Sequence, residues 1–143
     1  MLRQLDGSIV TVACGKGNAL EILQRVQRES FPGATNLGFH DPATFPSHRF
    51  RDCWRLDGQA IKVDMALARA QRLAEIRAAR NVRFAALDAE WMRAIGQKRT
   101  AEADAIEAKR QVLRDVPQAC APLLDACATA DELIVLEPNW PEV

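Results

Sequence analysis

The sequence predicts an α+β protein: a small N-terminal α+β unit with two β-hairpins, then a long antiparallel helical hairpin and an extended C-terminal tail. Three observations carry this reading. Residues 64–95 contain neither Gly nor Pro, Gly96 interrupts them, and a second such run, 100–116, is ended by Pro117. Two helices separated by about four residues fold back on each other as an antiparallel hairpin. Upstream, Leu5-Asp6-Gly7 and Leu56-Asp57-Gly58 repeat one turn tripeptide between β-forming residues. The expected divisions are residues 1–63, 64–117 and 118–143.

In chain order, Leu2 to Ala13 reads as a hairpin whose Asp6-Gly7 forms a two-residue type I′ turn. Gly15-Lys16-Gly17 breaks the strand. Asn18 then caps a helix, with Glu21 placed to reach back to its N–H. Ala19, Ile22, Leu23 and Val26 recur at helical spacing, and Pro32-Gly33 stops the helix near Ser30. A short strand is expected over 35–39, then an extended loop forced by Asp41-Pro42 and Phe45-Pro46. In the second hairpin, residues 50–56 meet 60–63 across Asp57-Gly58.

Asp64 caps the long helix. Its stripe of Leu73, Ile76, Phe84, Leu87, Trp91 and Ile95 matches Ile106, Lys109, Leu113 and Val116 on the second helix, with Ala105 and Val112 beside it. Lys109 is expected to lay its methylenes along the seam. At 1.5 Å per residue the first helix reaches roughly 45 Å and the second about half of that. The N-terminal half of the first is therefore expected to rest on the α+β unit or to project. That half carries Arg69, Arg72, Arg77, Arg80 and Arg83 against the single acid Glu75: a solvated face, or a surface for an acidic protein. Thr129 to Glu132 is a capping box before a short turn or helix over 133–136. In the closing Asn139-Trp140-Pro141, a tryptophan between turn formers is expected to dock on a neighbouring surface.

The bulk composition narrows the function classes. The 48% apolar and 27% charged residues are the balance of a globular chain, so wholesale disorder is excluded. Nineteen basic and nineteen acidic residues cancel, which leaves no global field to hold nucleic acid or an anionic membrane. The strongly apolar run 133–136 is far short of the ~20 residues of a membrane span, and the first residues do not read as an export signal. Cys14, Cys53, Cys120 and Cys127 match no zinc spacing, with only His40 and His48 available to complete a site. Free, buried thiols in a reducing cytoplasm are expected. A Cys120–Cys127 disulfide stays open; it needs the two Cα atoms within about 7 Å.

The search for catalysis finds no nucleophile motif, carboxylate pair or metal cluster. Gly15-Lys16-Gly17-Asn18 lacks the longer loop and the Ser or Thr of a phosphate-binding Walker motif. Ser47-His48 are neighbours in an extended segment and face opposite ways. His40-Asp41 is turn chemistry before Pro42. Asp88 and Glu90, two apart, do not share a helix face.

An ordered series remains: Phe50-Arg51-Asp52-Cys53-Trp54-Arg55, Val63-Asp64-Met65-Ala66-Leu67-Ala68-Arg69, Ala86-Leu87-Asp88-Ala89-Glu90-Trp91-Met92-Arg93-Ala94 and Lys109-Arg110-Gln111-Val112-Leu113-Arg114-Asp115-Val116-Pro117. It resembles the small tail proteins that tailed bacteriophages and prophages encode near their tail-fibre genes. Its order of elements is similar to that of tail-fibre assembly proteins: a tryptophan-bearing β segment, a long charged helix, a second helix with an Arg-Asp step, and a Trp-Pro tail. The resemblance covers residues 50–117, and neither residues 1–45 nor Cys53 carries a matching motif. It implies a non-catalytic protein without cofactor or metal that binds a phage tail-fibre or baseplate protein in fibre assembly or attachment. It would work in the host cytoplasm during assembly, or in the virion tail. A permanent subunit of the tail tip or baseplate is the alternative, and a small nucleic-acid-binding regulator the lesser one. The expected partner is protein, neither nucleic acid nor membrane, and a homo-oligomer is compatible with it. The residues expected to bind it are Trp54, Arg69, Arg72, Arg80 and Trp140, with Trp91 expected in the hairpin core.

Overall fold

A computed structural model describes residues 1–13 and 18–141; Cys14 and the Gly15-Lys16-Gly17 segment therefore lie outside the described residues. The fold is α+β, and the chain divides into two compact units, Met1–Ala68 and a second that starts at Arg69.

In the first unit, β1 (Leu2–Arg3) is the centre of an antiparallel three-stranded sheet, flanked by β2 (Ile9–Val10) and β3 (Thr35–Asn36). Successive side chains of a strand face opposite ways, and the two cores follow from that. Leu2 packs with Leu23 and Ala34, with Val10, Val26 and Phe31 around them, which seats α1 (Ala19–Ser30) on one face. Met1 and Ile9 pack with Trp54 and Ile61 on the other, which seats the hairpin of β4 (Trp54–Asp57) and β5 (Ala60–Val63). Asn18 caps α1 by accepting from the Leu20 N–H at 3.1 Å; Glu21 meets the Asn18 side-chain amide at 2.9 Å instead of its backbone.

The two identical tripeptides make different turns, and neither is the expected type I′. Register Arg3↔Ile9 and a bond from the Gln4 N–H to Ser8 O leave a three-residue loop, Leu5-Asp6-Gly7. Only Gly7 (φ +83°) is left-handed there, as a type I turn followed by a bulge requires. Register Asp57↔Ala60 instead leaves a two-residue loop, Gly58-Gln59, with Gly58 (φ +62°) at its first position, the type II′ arrangement. Turn type thus follows strand register. Two further expectations are corrected. Residues 35–39 form only the two-residue β3. Residues 48–53 form a 3₁₀ turn, capped by the Ser47 hydroxyl, where the second hairpin was expected to begin.

The second unit is the helical hairpin. Asp64 caps α2 (Met65–Gly96) through the Ala66 and Leu67 N–H groups at 3.0 and 3.2 Å. α2 ends in a Schellman motif. The Lys98 N–H reaches Ile95 O, the Arg99 N–H reaches Ala94 O, and Lys98 (φ +57°), not Gly96, holds the left-handed position. α3 (Thr100–Ala126) does not stop at Pro117 but runs through Pro117 and Pro122 for 27 residues. Each proline removes one backbone hydrogen bond, which costs ~3 kcal/mol in an ordinary helix interior. The burial of Val116, Pro117, Cys120 and Leu124 holds the helix together across them.

The expected length mismatch is therefore small, 32 residues against 27, and α2 from Arg69 on is covered by the far end of α3 and by the C-terminal segment beyond it. The core joins Leu87 and Ala94 to Ala103, Ile106 and Leu113, with Phe84, Trp91 and Trp140 against it. Ala94 takes the place expected for Ile95, and Ala105, Lys109 and Val112 are exposed. α4 (Ala130–Val135) starts three residues before the expected turn, capped by Thr129 Oγ1 on the Glu132 N–H, and buries Leu133.

Candidate functional site

The α2 arginines were the expected partner surface, and most of them are turned to their own chain. Arg69, Arg72, Ile76, Arg83 and Leu87 are separated by steps of three, four, seven and four, so they share one helix face. Ile76 and Leu87 are buried, so that face is the inward one. Arg69 donates from Nε to Leu124 O at 3.1 Å and from Nη2 to Cys127 O at 2.7 Å, which ties off carbonyls where α3 ends. Arg72, 8% exposed, donates to Glu75 at 3.0 Å and to Leu136 O at 2.8 Å, and stands 3.9 Å from the Glu137 carboxylate. Arg80 bonds the Asn81 side chain and lies 5.8 Å from the Phe84 ring centre. It is half-buried and Arg77 is exposed; the basic face is reduced to these two.

One turn past Arg80, the Arg83 guanidinium lies 4.1 Å from the centre of the Trp140 ring. Trp140 also packs against the hairpin core, so its indole meets both apolar side chains and a cation. A guanidinium over an indole is worth about 0.5–2 kcal/mol, depending on how dry it is. Residues 136–141 carry no regular secondary structure, yet Pro138 is buried and Trp140 half-buried. The tail is held by side chains: Arg72 on its backbone at Leu136 and Arg83 on its ring at Trp140.

A second guanidinium, Arg110, was missed by sequence reasoning. It occupies the seam slot assigned to Lys109, 5.0 Å from the Trp91 ring centre, with Asp88 at 2.9 Å and Glu107 as its other partner. Arg114 reaches the same Glu107, and this hydrogen bond, with the charges of Arg110 and Arg114, holds the Glu107 carboxyl below its ordinary range. The signal was present: Ala103, Ile106, Arg110, Leu113 and Pro117 step by three and four.

In the first unit, Trp54 cannot reach a partner. It is 0% exposed, with the rings of Phe45 and His48 at 5.5 and 5.2 Å. His40 and His48, with Phe39 and Phe45, border an apolar cleft of about 230 Å³, and the His40 Nε2 pairs with Leu37 O. Ser47 and Asp41 serve the backbone of their turns: Ser47 accepts from the Arg49 N–H and Asp41 from the Ala43 N–H. Cys53, Cys120 and Cys127 are buried; burial raises the Cys120 thiol pKa, against a lowering from the Arg72 charge.

Among the described residues, no three His, Cys, Asp or Glu side chains group to hold a metal ion, and no helix is long and apolar enough to cross a membrane. What these arrangements offer is protein surface: α2 exposes Val82 and Met92 at 74% and 63%, and α3 exposes Val112. No family model, curated protein or solved structure matches the chain.

Proposed function

We propose that this chain is a non-catalytic binding protein of a bacteriophage tail, acting on the tail fibre or baseplate in fibre assembly or attachment. The phage setting comes from the ordered series over residues 50–117. The protein-binding part is supported by one structural observation: the hairpin turns Arg69, Arg72 and Arg83 to its own chain and leaves Val82 and Met92 exposed on the outer side of α2. Exposed large apolar side chains lower their free energy by covering one another against a partner, at about 25 cal/mol per Å² removed from water. Nucleic acid would instead need outward cations; of the five, Arg72 is buried, Arg69 and Arg83 are engaged by carbonyls and a ring of their own chain, and Arg77 alone is fully exposed.

Co-expression with the neighbouring tail-fibre gene tests this. The wild-type chain co-purifies with the fibre protein, and Val82→Glu and Met92→Glu lose it while keeping the far-UV circular dichroism of the wild type. A fibre that trimerises to the same yield without the chain, and never co-elutes with it, overturns the reading. Mass spectrometry of purified virions then separates an assembly factor that leaves from a subunit that stays.

A further inference from the structure

We propose that the seat of Trp140 is a peptide-binding site for an extended segment of a protein partner, one with an aromatic ring directly before a proline and a carboxylate three residues earlier, and that the chain's own tail fills it in the unbound protein. This deepens the protein-binding reading and rests on it.

The tail is bound in the manner of a ligand. Residues 136–141 take part in no helix or strand, so no backbone ladder fixes them. Beyond the Leu136 N–H on Glu132 O at 3.1 Å, their hold on the second unit is a carbonyl on the Arg72 guanidinium, a carboxylate 3.9 Å from the same group, a buried proline, and one indole that meets both the core and Arg83. These contacts are the kind that recognise an extended peptide in trans: a cation over an aromatic face, a side chain on a backbone carbonyl, and prolines that limit the entropy lost on docking.

The seat, moreover, is built without the tail. Leu87, Ala94, Ala103, Ile106 and Leu113 pack helix on helix, and Phe84 and Trp91 lie against them from α2. Arg83 also donates to Ala79 O at 3.2 Å, which holds the guanidinium within its own helix. A tethered tail competes only at its effective concentration, on the order of millimolar for a short flexible link. A partner segment that binds more tightly than that displaces it, and the freed tail then exposes its own tryptophan.

The test uses the full-length chain and a fluorescent peptide with the sequence of residues 136–141. Trp140→Ala vacates the seat, so this variant binds the peptide saturably, and wild type binds it at least ~10-fold more weakly because the tethered tail competes. Adding Arg83→Ala to that variant weakens binding by ~3-fold or more, the share of the cation over the ring. Folded Trp140→Ala with no saturable binding, or with the affinity of wild type, overturns the proposal. Where Trp140→Ala does not fold, ¹⁵N-labelled wild type with the peptide raised to ~10 mM, above the tail's effective concentration, is decisive. Displacement moves the Trp140 indole resonance towards that of a free indole, and an unmoved resonance overturns the proposal. Peptide binding without fibre co-purification would leave the site standing and remove the fibre reading.

Discussion

Arg83 and Trp140, 57 positions apart in the sequence, are stacked at 4.1 Å from guanidinium carbon to ring centre. Trp140 docks on a neighbouring surface, as its place between turn formers suggests, and the surface is its own helical hairpin. Arg83, part of a face that reads as solvated or as a surface for an acidic protein, lies over that ring.

Truncation of the pair should report its weight. Trp140→Ala removes a half-buried indole from the hairpin core and is expected to cost ~1.5–3 kcal/mol, below the ~3–5 of a fully buried tryptophan. Arg83→Ala removes the cation over the ring, with its bond to Ala79 O, and is expected to cost ~0.5–1 kcal/mol. Urea unfolding of each variant checks both figures.

Arg72 carries a heavier expectation. Its guanidinium is buried and bonds both Glu75 and Leu136 O, so Arg72→Ala leaves a half-buried carbonyl without its donor and a void beside it. A loss of ~2–4 kcal/mol is expected. The same variant should raise the proteolytic sensitivity of residues 136–141 more than that of α2, which limited digestion and mass spectrometry of the fragments resolve.

Lys98 is a substitution that should stabilise. A non-glycine residue in the left-handed region costs ~1–2 kcal/mol, partly offset by the extra unfolded-state entropy that glycine brings. Lys98→Gly is therefore expected to gain up to ~1 kcal/mol, and Lys98→Val to lose stability, both measured by thermal unfolding.

The Cys120 thiol gives a pH signature. Burial raises its pKa above the ordinary thiol value, so the folded state favours the neutral form. That contribution is fully present below the unfolded pKa and is lost as pH rises through the folded one. From about pH 8 upward, where an unfolded thiol begins to ionise, the stability of wild type relative to Cys120→Ala should fall as pH rises. A difference independent of pH would contradict it.

How far the sequence reveals this molecule depends on the range of the interaction. Local chemistry was legible: Asn18 and Asp64 cap the helices they precede, Thr129 caps α4, and Leu87 and Leu113 lie in the core their spacing assigned. Register was not, because Leu5-Asp6-Gly7 and Leu56-Asp57-Gly58 are chemically the same and differ only in how their strands pair. Pro117 looks like a helix stop because proline removes a backbone hydrogen bond, but the burial of Cys120 and Leu124 beyond it carries α3 onward, and no half of α2 is left uncovered. The arginines were misread by type. Arg69, Arg72 and Arg83 keep the phase of Ile76 and Leu87, but a guanidinium on an inward face looks like surface until the carbonyls and the ring it meets are in view. Trp54 failed for the converse reason: its seat is built by Met1, Ile9 and Phe45, distant segments that no local pattern brings together.

A double-mutant cycle on Arg83 and Trp140 tests most directly that the α2 arginines hold the chain's own tail. Wild type, Arg83→Ala, Trp140→Ala and the double variant are compared by urea unfolding. The account predicts a coupling of ~0.5–1 kcal/mol, with Arg83→Ala nearly silent once Trp140 is gone. Strict additivity, with Arg83→Ala costing the same in both backgrounds, would contradict it.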